Sequence, residues 1–159
     1  MFIPLVSYPL FPVKDSSRKQ KCCVILSEIP SPKNHKFEII SREVIDGQSL
    51  VLGRFDNKNV KRHAFIGFQS PSVSQFHAKI LAKKGKLYIK DIKSSLGTFL
   101  NGYRLSQSFQ ESSRYPLRDN DILQLGQVSE NDGIDTNKPV LMKLRIRQRT
   151  NAWNYHGDL

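Results

Sequence analysis

Short runs of alternating apolar and polar residues, separated by turn residues, dominate this chain. Cys22 to Ile29 and Lys36 to Val44 are rich in branched and aromatic residues, and the prolines and asparagine of residues 30–34 separate them. The run from Val140 to Arg149 alternates most regularly, with Leu144 and Ile146 on one face and basic side chains on the other. No segment keeps a helical period over more than about two turns. The pattern predicts strands throughout.

Turn dipeptides divide the rest of the chain into further short strands. Asp46-Gly47 is a strong turn dipeptide, Asn101-Gly102 is a strong hairpin signal, and Lys83-Lys84-Gly85-Lys86 predicts another tight hairpin. The polar segment from Ser106 to Arg114 is predicted to be a loop. The predicted strands between these turns cover residues 49–54, 77–82, 87–92, 97–100 and 121–126. The long segment over residues 56–71 is either a functional loop or carries a further strand over residues 64–68. About ten short strands with frequent turns are typical of an all-β sandwich.

The length of 159 residues suits one domain with a full core. We predict an extended leader over residues 1–20, a sandwich domain over 21–149 and a frayed tail over 150–159. No run approaches the roughly 18 apolar residues of a membrane span. The apolar start is short and broken by Pro4, Pro9 and Pro12, which argues against a secretory signal.

The formal net charge of +11 favours anionic partners, among them nucleic acid, acidic lipid and phosphoprotein. The chain has two cysteines, and they are neighbours, Cys22 and Cys23. Adjacent cysteines rarely form a disulfide, and this pair has no zinc-site spacing, so we expect no metal or other cofactor. A reducing compartment, the cytoplasm or the nucleus, is the simple expectation.

Three short motifs contain the residues that suit phosphate binding. Gly53-Arg54 ends a predicted strand, Ser74-Gln75-Phe76-His77 precedes another, and the third motif is Ser94-Ser95-Leu96-Gly97-Thr98-Phe99-Leu100-Asn101-Gly102. Phosphothreonine carries about −1.5 to −2 charges and three strong acceptor oxygens. An arginine and short hydroxyl donors bind such a group well because charge-assisted hydrogen bonds are strong. The motifs therefore point to a phosphopeptide-binding module.

The same residues resemble the forkhead-associated (FHA) domain. Gly-Arg, then Ser-x-x-His, then Ser-Ser-x-Gly-Thr-x-x-Asn-Gly follow that family's order, and Leu117 to Gly126 is similar to its L-x-D-G-D-x-i-x-l-G segment. The likeness covers roughly residues 22–149. The detailed sequence of these motifs resembles that of a fungal subgroup, which includes FHA–RING ubiquitin ligases of mitotic checkpoints and FHA adaptors of striatin-type phosphatase complexes. RING cysteines are missing from this sequence, so such a domain would lie outside the chain.

The resemblance implies an eleven-stranded β-sandwich whose loops at one end bind phosphothreonine proteins. By position, Arg54 and Ser74 would hold the phosphate, and Ser95 would add a hydroxyl. The residues implied to support these loops are Gly53, His77, Gly97, Thr98 and Asn101.

Two positions depart from the family pattern. Leu96 stands where the family usually has an asparagine that binds the ligand's main chain, and Gln75 follows the motif's serine where Arg or Asn is common. Both would still lie beside the peptide, and weaker or differently selective binding is expected. Lys61 and Arg62, in the long loop after Arg54, are candidate contacts for acidic residues that flank the phosphothreonine.

One alternative function remains open. The basic face of the last strand, around Lys143 to Arg149, could bind nucleic acid or an unphosphorylated partner. Aromatic residues are not interleaved there as in stacking platforms for single strands, which argues against nucleic acid. An enzyme is not expected, because the sequence has no paired catalytic carboxylates, activated cysteine motif, glycine-rich phosphate loop or metal-ligand cluster.

Overall fold

The computed structural model describes residues 19–57, 64–128 and 137–148, and within them eleven strands form two sheets without any helix. This confirms the predicted all-β, FHA-type sandwich. The strands are β1 (Lys21–Glu28), β2 (Ile40–Ile45), β3 (Ser49–Arg54), β4 (Phe65–Phe68), β5 (Ala78–Lys83), β6 (Lys86–Asp91), β7 (Thr98–Leu100), β8 (Tyr103–Arg104), β9 (Tyr115–Pro116), β10 (Ile122–Leu125) and β11 (Val140–Gln148).

The first sheet has the strand order β2-β1-β11-β10-β7-β8, and the second has the order β4-β3-β5-β6-β9. Pairing is antiparallel except between β3 and β4, where Leu52 lies opposite Ile66 in a parallel register. In the second sheet Leu52 also lies opposite Ala78 of β5. Because β3 and β5 run in opposite directions, the end of β3 and the start of β5 meet at one end of the sandwich.

Alternate residues of both sheets form the core, as the sequence pattern predicts. The fully buried side chains include Val24, Leu26, Leu52, Phe68, Ile80, Ile89, Leu123, Leu125, Met142 and Leu144. Burial of each such side chain stabilises the fold by about 1.5–3 kcal/mol. The core therefore gives the connecting loops a rigid base.

Two predicted tight turns have the backbone that their sequences require. Lys84 and Gly85, between β5 and β6, have φ values of 52° and 71°. Asn101 and Gly102, between β7 and β8, have φ values of 50° and 85°. A positive φ at both central positions is the mark of a type I′ turn, whose twist matches that of the flanking strands.

One predicted strand is shorter than expected. Lys36 to Val44 was predicted to be extended throughout, but β2 begins only at Ile40. The Phe37 N–H donates to the Glu28 carboxylate at 3.1 Å. The Phe37 ring packs edge-on against Phe68, with centroids 5.2 Å apart. Side-chain contacts therefore replace strand pairing in residues 36–39.

Several predictions fall outside the described residues. These are the leader over residues 1–18, the flanking contacts Lys61 and Arg62, Arg149, and the tail over residues 150–159. The carbonyl of Gln20, at the described end of the leader, accepts a hydrogen bond from Asp46 N–H at 3.0 Å. Over the described ranges no helix is long and apolar enough to cross a membrane.

Candidate functional site

The three motifs meet at one end of the sandwich. Arg54 N–H, at the end of β3, donates to the carbonyl of Ser74 at 2.9 Å. Ser74 lies in the loop between β4 and β5, and Ser95 lies in the loop between β6 and β7. The carbonyl of His77 accepts a hydrogen bond from Ile92 N–H at 3.1 Å, which joins these two loops. Main-chain hydrogen bonds thus hold all three motifs together.

Ser74 and Ser95 form the centre of the site. Their Oγ atoms lie 3.1 Å apart, and Ser95 N–H donates to Ser74 Oγ, also at 3.1 Å. Both residues are half-buried. Two hydroxyls therefore converge where solvent still reaches, and the Ser95 N–H is engaged by one of them. This group of donors can bind an oxygen of an anion.

Arg54 supplies a positive charge at the edge of this centre. Its side chain is exposed, and within the described residues no hydrogen bond or ion pair of its guanidinium is recorded. Gly53 explains how the strand approaches the neighbouring loop. A Cβ at Gly53 would overlap the carbonyl oxygen of Gln75. Only glycine permits this close passage, which brings Arg54 beside Ser74.

His77 fixes the loop that carries Ser74. Its ring is fully buried. Nδ1 accepts a hydrogen bond from Ser74 N–H at 3.0 Å, and Nε2 lies 2.8 Å from the carbonyl oxygen of Gly97. Because a carbonyl only accepts, Nε2 must carry the proton. Burial lowers the pKa of His77, although the Gly97 hydrogen bond and the charge of Asp91 oppose this. The ring is therefore a neutral link between two loops.

Lowering the pH is expected to destabilise the protein through His77. The unfolded chain takes up a proton near the ordinary pKa of 6.5, whereas the folded ring does so only at lower pH. Stability from this residue is present above pH 6.5 and falls with acidification, by at most about 1.4 kcal/mol per pH unit. Urea unfolding at pH 7.5 and 5.5 measures the loss.

Two substitutions separate this effect from that of His35. Burial also lowers the pKa of His35, although the charge of Glu28 opposes this shift. His77→Asn should remove part of the loss between the two pH values, and His35→Asn should leave the His77 part in place. An unchanged pH dependence in His77→Asn would contradict the assignment of a neutral ring.

Asp91 is the buried residue that organises the β6–β7 loop, and the sequence analysis gave it no role. Its carboxylate accepts hydrogen bonds from Ser94 N–H at 2.9 Å, from the Ser94 hydroxyl, and from the Thr98 hydroxyl at 2.7 Å. Ser94 Oγ in turn accepts from Gly97 N–H at 3.0 Å. Asp91 thus closes the turn that presents Ser95. An aspartate three residues before a serine, at a strand end, was the available signal.

The remaining predicted support residues take different positions. Gly97, with a φ of 88°, lies against the Arg104 guanidinium, which an added Cβ would meet at 2.9 Å. Arg104 was not predicted, and its guanidinium carbon also lies 5.6 Å from the centroid of the Phe99 ring. Asn101 lies farther away, where its side chain donates to Asp121 at 2.9 Å and accepts from Ile122 N–H at 2.8 Å. It braces the β7–β8 turn against β10.

The predicted peptide contacts flank the two serines. Gln75 is exposed, and its Nε2 lies 3.5 Å from the Asp56 carboxylate. Leu96 follows Ser95 and is half-buried. Phe55 and Phe76 add exposed aromatic surface next to Arg54 and Gln75 along the chain. In the described ranges, no three His, Cys, Asp or Glu side chains are grouped so that they could hold a metal ion.

The sequence of this chain is similar to that of known proteins. The model of the FHA domain family matches residues 50–126. The chain is 43% identical over 98 residues to the E3 ubiquitin-protein ligase DMA2 of Saccharomyces cerevisiae, a match covering 57% of this chain and 19% of that protein. It is 44% identical over 78 residues to the probable E3 ubiquitin-protein ligase dma1 of Schizosaccharomyces pombe, covering 48% of this chain and 29% of that protein. The chain thus spans less than a third of either relative.

The fold is shared with a solved FHA structure. The kinase-interacting FHA domain of the Arabidopsis kinase associated protein phosphatase KAPP superimposes with a TM-score of 0.55 at 17% identity. The superposition covers 83% of this chain and 98% of that domain. The matched family segment contains Arg54, Ser74 and Ser95. Residues 50–126 of the chain therefore match the FHA domain family, and the chain shares the fold of an FHA domain.

Proposed function

We propose that this chain is a phosphothreonine-dependent protein-binding module that acts as a signalling adaptor. The observation that carries the proposal is the contact between Ser74 and Ser95, whose hydroxyls lie 3.1 Å apart beside the end of β3 and Arg54. A phosphothreonine presents about −1.5 to −2 charges and three acceptor oxygens. An exposed guanidinium with two hydroxyls complements both the charge and the acceptors.

Each group has a separate task in this proposal. Arg54 offers a planar fork of donors that can bind two phosphate oxygens at once. The hydroxyls of Ser74 and Ser95, which now meet each other, would each donate to a phosphate oxygen. His77 and Asp91 would not touch the ligand, because their polar atoms are already bonded within the loops. They position the serines.

The surroundings of the phosphate set the expected affinity. Leu96 has no amide with which to bind the peptide's main chain, so the phosphate contacts would supply most of the binding free energy. Gln75 remains exposed and can bind a peptide carbonyl. We therefore expect affinities in the micromolar range, about −8 kcal/mol.

The proposed role is binding without catalysis. His77, the titratable ring nearest Ser74, has both nitrogens engaged and is buried, so it cannot take a proton from a substrate. The ubiquitin-ligase names of the relatives refer to much longer proteins. We propose that any such activity here would reside in another domain, and that the module works in the cytoplasm or nucleus, with a role in cell-cycle signalling.

The test is fluorescence-polarisation binding to an oriented peptide library in phosphothreonine, phosphoserine and unphosphorylated forms. We expect micromolar binding to the phosphothreonine form and none to the unphosphorylated form. A pocket that buries the threonine methyl should favour phosphothreonine over phosphoserine by at least about fourfold, which corresponds to about 0.8 kcal/mol. Equal binding to all three forms would refute the proposal.

The basic last strand provides the competing function. Lys143, Arg145 and Arg147 are exposed on one face of β11, but Arg145 already lies 3.2 Å from the Asp119 carboxylate. This pairing reduces the charge available to an anionic partner. Binding through this face would weaken steeply with salt and would not require a phosphorylated peptide, so the same library at two salt concentrations distinguishes the two functions.

A further inference from the structure

A second basic site lies at the end of the sandwich opposite Arg54. A cavity of about 400 Å³ is lined by Lys83, Lys84, Lys86, Tyr88 and Arg114. Lys83 ends β5 and Lys86 begins β6, so the hairpin turn forms one wall. Arg114 directly precedes β9, which pairs with β6 through Tyr88 and Pro116. Four cations and one phenol therefore surround a single concave space.

These four cations have no acidic partner among the described residues. Glu111 lies near the basic face, but it pairs with Lys90 at 2.6 Å, and that contact lowers the pKa of its carboxyl. Asp46 lies near the turn, but its carboxylate accepts the Gly85 N–H at 2.9 Å. No salt bridge to the lining lysines or Arg114 is recorded in the described ranges. The positive charge of the cavity is thus not compensated by any of the residues that the structure describes.

The local backbone and pairing also oppose this concentration of lysines. Lys83 and Lys86 lie directly opposite each other across the hairpin, and like charges at such positions are destabilising. Lys84 has a φ of 52°, a region that asparagine, aspartate and glycine tolerate better than lysine does. A bound anion would relieve the charge repulsion. These lysines destabilise the turn and concentrate positive charge in one place. Residues that lower stability without a structural benefit often have a binding role.

We propose that this cavity binds a compact polyphosphate, a small molecule or headgroup with two or more phosphate groups close together, as in inositol phosphates. Each phosphate monoester carries about −1.5 to −2 charges, so two of them balance the four cations. The phenol of Tyr88 adds a hydroxyl that can donate to a phosphate oxygen.

The surroundings favour a compact ligand over an extended polymer. The adjacent edge strand β9 contains Pro116, which has no N–H, so it is poorly suited to pairing with an added peptide strand. One aromatic side chain lines the cavity, whereas single-stranded nucleic acid is usually held by several stacking platforms. Lys90, farther along β6, forms an ion pair with Glu111, and this pair interrupts the basic surface.

The cavity is independent of the proposed phosphothreonine site. Ala78 begins β5 near His77, and Lys83 ends the strand about 17 Å away at roughly 3.4 Å per residue. Both sites can therefore be occupied at once. Failure of one proposal would not affect the other.

Isothermal titration with inositol hexakisphosphate tests the cavity. The double variant Lys83→Gln/Lys86→Gln should raise the dissociation constant at least tenfold. The matched control Lys33→Gln/Lys36→Gln removes the same charge from exposed lysines elsewhere and should change it less than twofold. The charge-preserving variant Lys83→Arg/Lys86→Arg should retain binding, which guards against a folding defect. No saturable binding, or an equal loss in the control, would overturn the proposal.

Two further binding experiments distinguish a lipid headgroup from a soluble inositol phosphate as the ligand. Vesicles containing phosphatidylinositol 4,5-bisphosphate are compared with phosphatidylserine vesicles of equal charge. Binding to the former alone, lost in Lys83→Gln/Lys86→Gln, would assign the site to a lipid headgroup. Binding of inositol hexakisphosphate without vesicle binding would assign it to a soluble inositol phosphate. A single-stranded oligonucleotide that binds this cavity more tightly than either probe would overturn the preference for a compact ligand.

Discussion

Replacement of Arg54 by alanine is expected to abolish binding to phosphothreonine peptides while leaving the fold intact. The guanidinium is exposed and contributes no recorded contact to the described part of the protein, so its removal should change the unfolding free energy by less than about 0.5 kcal/mol. The phosphate would lose its main charge-assisted donor. Truncating one partner of such a pair costs about 2–5 kcal/mol, which is at least about a 30-fold loss of affinity. Fluorescence polarisation measures the loss.

Two further variants make this result specific to the arginine at position 54. Arg54→Lys keeps the charge but loses the planar fork, so its affinity should fall between those of the wild type and Arg54→Ala. Arg118→Ala removes an exposed arginine between β9 and β10 and should bind as the wild type does. Undiminished phosphopeptide binding by Arg54→Ala would show that the phosphate is held elsewhere. A loss in Arg118→Ala of similar size would indicate a general effect of charge.

The strands and turns of this fold could be predicted because their signals are local. Asn101-Gly102 is a strong signal for a type I′ turn, Gly85 favours a turn between two strands, and the strands between turns alternate in polarity. β9 was not predicted, because its two residues show no pattern of their own and are strand-like only through pairing with β6. Phe37 was predicted to lie in a strand because it is aromatic, but tertiary contacts decide its place: its N–H bonds to Glu28 and its ring packs against Phe68.

Some residues of the candidate site could likewise be predicted from local sequence, and others could not. The short motifs predicted Arg54, Ser74 and Ser95 as candidate phosphate contacts, and the structure brings the segments that carry them together through main-chain hydrogen bonds. Asp91 was missed because nothing in the local sequence indicates that a strand-end aspartate is fully buried. Its importance arises from tertiary packing, which removes water and leaves the loop's own donors as its partners. The motifs predicted supporting residues such as His77 and Gly97 as well, whereas Asp91 lies outside the motif pattern.

Replacement of Asp91 by alanine is expected to cause the largest loss of stability at this end of the protein. The substitution leaves the Ser94 N–H, the Ser94 hydroxyl and the Thr98 hydroxyl without their acceptor in a buried site. Each unsatisfied buried group costs about 1–3 kcal/mol, while the carboxylate's own desolvation cost is recovered, so a net loss of about 2–4 kcal/mol is expected. Urea unfolding at pH 7 measures it.

The same change should weaken phosphopeptide binding, although Asp91 does not touch the ligand. Without its acceptor the β6–β7 turn would no longer hold Ser95 within 3.1 Å of Ser74. Asp91→Asn keeps one acceptor and the shape, and should therefore lose less stability and less affinity than the alanine variant. The exposed Asp119→Ala should leave peptide binding unchanged. If Asp91→Ala unfolded at the same urea concentration as the wild type, or bound phosphopeptide equally well, the carboxylate would not be what positions Ser95.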